Sequence, residues 1–223
     1  MQRTNFTWLF VGILLLLLLE PAVQTGRPDA ALAMEGAFAL LLLVGVWSLR
    51  SFRRWFPIAL GLVALDLVSV ALSLIQGGFA WSLLSYVSFL GFCLLSTALA
   101  LRFILTHREI DLNHLMGAMS AYLLLGLIWT ALFAILRLFD PGALANVDAA
   151  PGQPGEAGQL LYFSFVTLTT LGYGDVTPVT PLARYLALLE AVVGQLFVAV
   201  LIATLIGRIA RPSGGVKAPG GSA

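Results

Sequence analysis

Long apolar blocks alternate with short polar connections along the whole chain. A hydrocarbon core about 30 Å thick needs about 20 mostly apolar helical residues. Six blocks meet that measure, running approximately Asn5–Val23, Leu32–Leu49, Trp55–Ile75, Trp81–Leu105, His114–Leu138 and Leu182–Ile209. The uninterrupted apolar part of the first, Trp8–Leu19, has the length of a signal-peptide core. No small-x-small cleavage site follows it directly, so it is expected to be retained. Between the fifth and sixth blocks lies a longer insert, Phe139–Pro181, with two unlike halves. The first, DPGALANVDAAPGQPGEAG, is rich in Pro, Gly and Ala and predicts an external loop. The second begins with QLLYFSFVTLTT, Gln159–Thr170, an apolar helix too short to cross, followed at once by glycines. A short helix that enters, irregular backbone and an exit on the same side make a re-entrant loop. The pattern therefore predicts an all-α integral membrane protein with six transmembrane helices and a re-entrant helix between the fifth and sixth.

Composition strengthens that reading. The chain of 223 residues is 60% hydrophobic and 10% charged, with a mean hydropathy of +0.97, too little charge to cover a soluble surface. A net charge of +1 without a basic cluster speaks against nucleic-acid binding. The single cysteine, Cys93, excludes an intramolecular disulfide and a multi-thiolate metal site, and reads as a packing residue. Basic residues alternate from side to side: Arg3, Arg50, Arg53, Arg54, Arg102, Arg108, Arg208, Arg211 and Lys217 on one, Arg27, Arg137 and Arg184 among acids on the other. By the positive-inside rule both termini are cytoplasmic, and the loop between the last two helices faces out.

That loop carries TTLGYGDVTP, Thr169–Pro178. Backbone at membrane depth has no ladder partners, so its N–H and C=O groups must meet protein, water or ions. Gly172 and Gly174 can take φ values that L-residues resist, which lets successive carbonyls point to one side. A row of carbonyls replaces the hydration shell of a cation, and Thr170 adds a hydroxyl oxygen. The preceding short helix points its negative end inward, which favours a cation there.

TLTTLGYGD resembles the selectivity filter of potassium channels, whose usual core is TVGYG, with Leu171 where valine is commonest. The resemblance covers Asn113–Arg208. It implies K+ coordination by Thr170, Leu171, Gly172 and Tyr173, with Gly174 completing the filter. It places the Tyr173 ring away from the pore against Tyr162 and Phe163, with Thr167 also on the supporting helix. It puts Asp175 at the outer mouth, where a carboxylate concentrates cations. In some relatives that aspartate bonds an acid on the short helix; Val166 stands there in this chain, so that lock is absent. One filter loop per chain implies a homotetramer, since several loops must surround the ion. K+ is then the permeant ion, no cofactor is expected, and lipid is the surrounding partner.

The implied organisation is a four-helix transmembrane accessory bundle over 1–105, a cytoplasmic linker over 106–113, a pore domain over 114–210 and a disordered tail over 211–223. Gly194 matches the hinge glycine of inner helices, or serves close packing alone. Glu190, an acid at membrane depth, reads as hydrogen-bonded support for the short helix through Ser164 or Thr167, whose protonation tunes gating, or as a purely structural carboxyl. The fourth span lacks the arginine series of voltage sensors: the corresponding places hold Ser82, Ser85, Ser88 and Gly91, so steep voltage gating is not expected. Asp66 is expected to pair with serines on neighbouring helices, Ser69 and Ser73 extending the polar face. His107 and His114 read as solvated linker residues, and the sequon at Asn5 lies on the cytoplasmic side. The expected function is passive K+ conduction in a plasma membrane. The alternatives are a poorly selective cation channel and a non-conducting regulatory subunit with a pore-like fold. No nucleophile, metal cluster or phosphate loop suggests an enzyme.

Overall fold

The computed structural model describes residues 6–23, 28–106 and 112–209. Asn5, Arg27, His107, most of the expected linker and the 211–223 tail lie outside the described residues. Among the described residues seven α-helices form: α1 (Phe6–Val23), α2 (Pro28–Ser48), α3 (Phe56–Gln76), α4 (Phe79–Thr106), α5 (Leu112–Phe139), α6 (Glu156–Leu168) and α7 (Pro181–Ile209). Helices α3, α4, α5 and α7 are long and apolar enough to cross a membrane. The apolar stretches resolved in α1 and α2, Phe6–Leu18 and Gly36–Ser48, are shorter. In the loop between α5 and α7, β1 (Leu144–Ala145) pairs antiparallel with β2 (Thr177–Pro178), Leu144 opposite Pro178 and Ala145 opposite Thr177. This two-rung ladder was not foreseen, since two residues are too few to show a period.

One apolar core runs through the helices. Leu9 and Ile13 of α1, Leu42 of α2, Val63 of α3, Phe92 of α4, Leu124 of α5 and Leu161 of α6 all belong to it. A second cluster, with Phe133, Leu160, Phe163, Leu168, Ala183 and Ala187, joins α5, α6 and α7 around the loop. The serines in place of voltage-sensor arginines are buried, and a Cβ added at Gly91 would stand 3.4 Å from Leu62 Cδ2. Small residues thus seat α4 directly on α3, where no long cation would fit. Ser85 of α4 meets Asp66 of α3, but Ser69 and Ser73 turn their protons to Leu65 and Val70 carbonyls. His114 departs from its expected place: it is buried in the first turn of α5, with its ring stacked on Phe103 at 4.8 Å. The helix begins two residues earlier than expected and carries the imidazole into the α4–α5 contact.

Helix α6 starts three residues before its expected position, and the cause is Glu156. This acid opens the helix at its positive end. It is fully buried and pairs with Arg137 of α5, Nη1 donating to Oε1 at 2.6 Å. Its other oxygen accepts the Gly152 N–H at 2.6 Å and the Tyr86 hydroxyl at 3.0 Å. Arg137 also donates from Nη2 to the Ala149 carbonyl at 3.1 Å. Sequence placed Arg137 among the exposed charges of the outer connections; the fold instead uses it as an interior clamp among α4, α5 and α6.

Removing one partner of a buried, hydrogen-bonded pair leaves the other charge uncompensated. Arg137→Ala or Glu156→Gln alone is expected to destabilise the protein by about 3–5 kcal/mol, and an apolar replacement of both by less. Thermal unfolding of the purified variants in detergent checks the order.

Candidate functional site

The site is built on α6 and the turn after it. Ring pairs and glycine contacts press this short helix against its neighbours: Phe163 is buried edge-on against Phe133 of α5 at 4.9 Å, and Phe165 lies over Gly126, where an added Cβ would stand 2.5 Å from its ring. Only glycine at 126 lets the two helices approach so closely.

The helix ends in a full Schellman closure. Thr170 N–H bonds to the Thr167 carbonyl at 2.9 Å, and Leu171 N–H to the Val166 carbonyl at 2.9 Å. Gly172 N–H shares that Val166 acceptor at 3.2 Å. The motif demands a left-handed residue at its reversal, usually glycine. Here it is Thr170, at φ +59°. Left-handed backbone costs a residue with a Cβ about 1–2 kcal/mol, so a β-branched side chain there is strained. Gly172 and Gly174 follow at φ +58° and +79°, while Leu171 and Tyr173 keep negative φ. The sign of φ thus alternates from 170 to 174. Backbone of alternating φ sign is able to bring successive peptide groups toward a common side.

Thr170 is held by a residue that sequence reasoning missed. Gln195 of α7 donates from Nε2 to the Thr170 hydroxyl at 3.2 Å. The available signal is the amide itself, next to Gly194 and five residues after Glu190 in a mostly apolar helix. Gly194 itself lies against the last turn of α6: a Cβ there would run into the Leu168 carbonyl and stand 2.8 Å from its Cδ1. One turn earlier, Glu190 is fully buried and contacts Ser164 at 2.6 Å through Oε1. Glu190, Gly194 and Gln195 therefore meet Ser164, Leu168 and Thr170 in register.

Ser164 has one hydroxyl proton and two acceptors in reach, Glu190 Oε1 at 2.6 Å and the Gly126 carbonyl at 2.7 Å, so one hydroxyl joins α6 to both α5 and α7. The other Glu190 oxygen is buried without a hydrogen-bond partner.

At the loop end, Asn146 Nδ2 donates to the Asp175 carbonyl at 2.7 Å, and the Tyr162 hydroxyl donates to the Asp175 carboxylate at 2.5 Å. Tyr162 thus takes up the side chain whose acid partner is replaced by Val166. That hydroxyl, followed by backbone N–H groups, holds Asp175 below the usual carboxylate range. Tyr173 is 68% exposed in the single chain, and Phe163 packs against Phe133 of α5. Leu171 lines an open cavity of about 220 Å³ behind the turn, with Leu161, Phe165, Val166 and Leu17 of α1.

The same region matches known proteins. A family model described as "Ion channel" covers residues 119–211. Over 90 residues, 40% of this chain, the sequence is 37% identical to the inward rectifier potassium channel Kirbac3.1 of Paramagnetospirillum magnetotacticum, 29% of that protein. Over 61 residues, 27% of this chain, it is 36% identical to the two pore potassium channel c of Oryza sativa subsp. japonica, 13% of that protein. The matched segment spans less than a third of either relative.

Two expectations follow from the α6–α7 contacts. Gly194→Ala drives a methyl into the Leu168 backbone and is expected to lower stability by about 1–3 kcal/mol. Glu190→Gln keeps a hydrogen-bonding partner for Ser164 and is expected to stay within about 1 kcal/mol of the parent, whereas Glu190→Leu loses about 1–3 kcal/mol. Thermal unfolding in detergent, with Gln and Leu side by side, checks that order.

Proposed function

We propose that this chain is the subunit of a K+-selective channel and not an enzyme, because residues 119–211 match an ion-channel family model and part of the chain is similar to two potassium channels. The observation that carries the proposal is the alternating backbone of Thr170–Gly174 at the end of a short helix held off the surface. In it the carbonyls of Thr170, Leu171, Gly172 and Tyr173, with the Thr170 hydroxyl, take the place of water around K+. Gly174 turns the chain out to Asp175, whose carboxylate concentrates cations at the mouth.

The assembly is a homotetramer in a cell membrane. Four re-entrant loops surround one axis, and each chain crosses six times with both termini cytoplasmic. Residues 171–174 are exposed in the single chain, and α7 exposes Leu182, Leu189, Val192, Leu196 and Val200, an apolar face that subunits and lipid would cover. The accessory bundle over 1–105 carries no arginine series, so conduction is not steeply voltage-gated. A hinge at Gly194 requires α7 to leave Leu168 and to release Ser164 and Thr170. Opening on this reading separates α7 from α6, and Gln195 reports that separation to the filter.

Protein reconstituted in liposomes tests the reading: K+ flux with little Na+ flux is expected, abolished by Gly172→Ala or Gly174→Ala. Comparable Na+ flux would make it a poorly selective cation channel, and no flux a non-conducting subunit. Gln195→Leu, which removes the donor to Thr170, is expected to reduce selectivity for K+ over Na+ in the same assay.

External acid gives an independent check. Asp175 has a lowered folded pKa, so the stability of its bond to Tyr162 is present above the model-peptide value of 3.8 and is lost as pH falls through the lower folded value. K+ entry is therefore expected to persist as external pH falls to 3.8. In Tyr162→Phe the decline moves to higher pH, since the donor that holds the carboxylate down is gone. A pH profile identical in both proteins would remove Tyr162 from this role.

A further inference from the structure

A partly open cavity of about 60 Å³ lies between α2, α3, α4, α5 and the first turn of α6. Its walls include Phe38, Tyr86, Phe89, Ala131 and Ala157, and its one carboxylate is Asp66. That side chain is 5% exposed. A carboxylate offers about four lone-pair sites to donors. Asp66 receives one bond, from Ser85 Oγ to Oδ1 at 2.9 Å.

The hydroxyls around it are committed elsewhere. Ser69 donates to the Leu65 carbonyl at 2.7 Å, Ser73 to Val70 at 2.8 Å, Ser88 to Leu84 at 2.7 Å and Thr130 to Gly126 at 2.8 Å. Tyr86 gives its proton to Glu156. Among the described residues no arginine or lysine pairs with Asp66. A carboxylate so served and so buried is costly, and it lines the cavity.

The shape and lining of that space define what fits. At about 10–15 Å³ for each water-sized position, the cavity holds about four to six non-hydrogen atoms. Phe38 and Phe89 stand edge to face at 5.6 Å on the apolar side, surfaces suited to the face of a small cation. A second cavity of about 30 Å³ shares Val70, Ser85 and Tyr86 and reaches Gly152, Gln153 and Pro154 of the α5–α6 loop. The two cavities lie on either side of these shared side chains, between that loop and Asp66.

We propose that this cavity is a binding site for a small organic cation of the guanidinium or alkylammonium type, with the Asp66 carboxylate as its counter-charge. The site is separate from the ion path. Its occupant touches Tyr86 and Ala157, and through the Tyr86 hydroxyl stands one hydrogen bond from Glu156, the residue that opens α6. Occupancy therefore bears on the helix that carries the conduction site.

Saturation-transfer NMR on the full chain in detergent, at high KCl, tests this with methylguanidinium and methylammonium as probes and methylurea as a neutral analogue of the first. At least one cation is expected to bind saturably, with half-saturation on the order of 1–10 mM for so few atoms, and methylurea not to bind. The better cation tells whether the site prefers a planar fork or a point charge. Asp66→Asn is expected to weaken binding at least tenfold. Ala39→Leu, which fills the cavity from a half-buried position and keeps the acid, is expected to do the same if Asp66→Asn does not fold. Gly172→Ala, which disables the proposed ion path, is expected to leave binding unchanged. Equal binding by Asp66→Asn or by methylurea, loss of binding in Gly172→Ala, or no binding of either cation overturns the proposal.

Discussion

A helix that stops inside a membrane protein must satisfy its end groups without water, and α6 with its 13 residues meets that demand at both ends. At its start Glu156 is fastened to Arg137, Gly152 and Tyr86. At its finish the Val166 and Thr167 carbonyls turn the chain back through Thr170. Between them Ser164 ties it to Gly126 and Glu190. Remove these bonds and the strained alternation of 170–174 has no rigid support, because neither solvent nor lipid can replace them.

The same requirement binds the neighbouring helices together. Tyr86 brings α4 to the start of α6, Arg137 brings α5, and Glu190, Gly194 and Gln195 bring α7 to its middle and end. Motion of α7 is therefore not free of α6. A glycine pressed on a carbonyl allows close contact where it stands, and bends only after that contact is broken. Helices α1–α4 share the apolar core with α5 and α6, and the Tyr86 phenol adds a polar link from α4 to the start of α6.

Much of the architecture was legible in advance. Apolar blocks the length of a bilayer announced the long helices, and the short block after the Pro/Gly loop announced α6, although its start was placed three residues late. Glycines at 172 and 174 signalled positive φ because no other residue takes it cheaply. The positive φ at Thr170 was not legible, since it arises from a helix reversal whose hydrogen bonds are set by three dimensions. Nor was the burial of Arg137 and His114, which charge alone assigns to the surface. The Gln195 amide was overlooked because its partner lies 25 residues away.

By itself the sequence determined which segments are apolar enough to enter a membrane, where the backbone must become irregular, and which chemical groups that irregular stretch offers to a cation. These are local properties, readable from hydrophobicity and from the steric latitude of glycine. Tertiary structure alone decided the pairings: Arg137 with Glu156, Tyr162 with Asp175, Ser164 between Gly126 and Glu190, Gln195 with Thr170, and Asp66 left with Ser85 beside an open space. The physical reason is that a buried polar group takes whichever partner packing brings within about 3 Å, and packing depends on every helix at once.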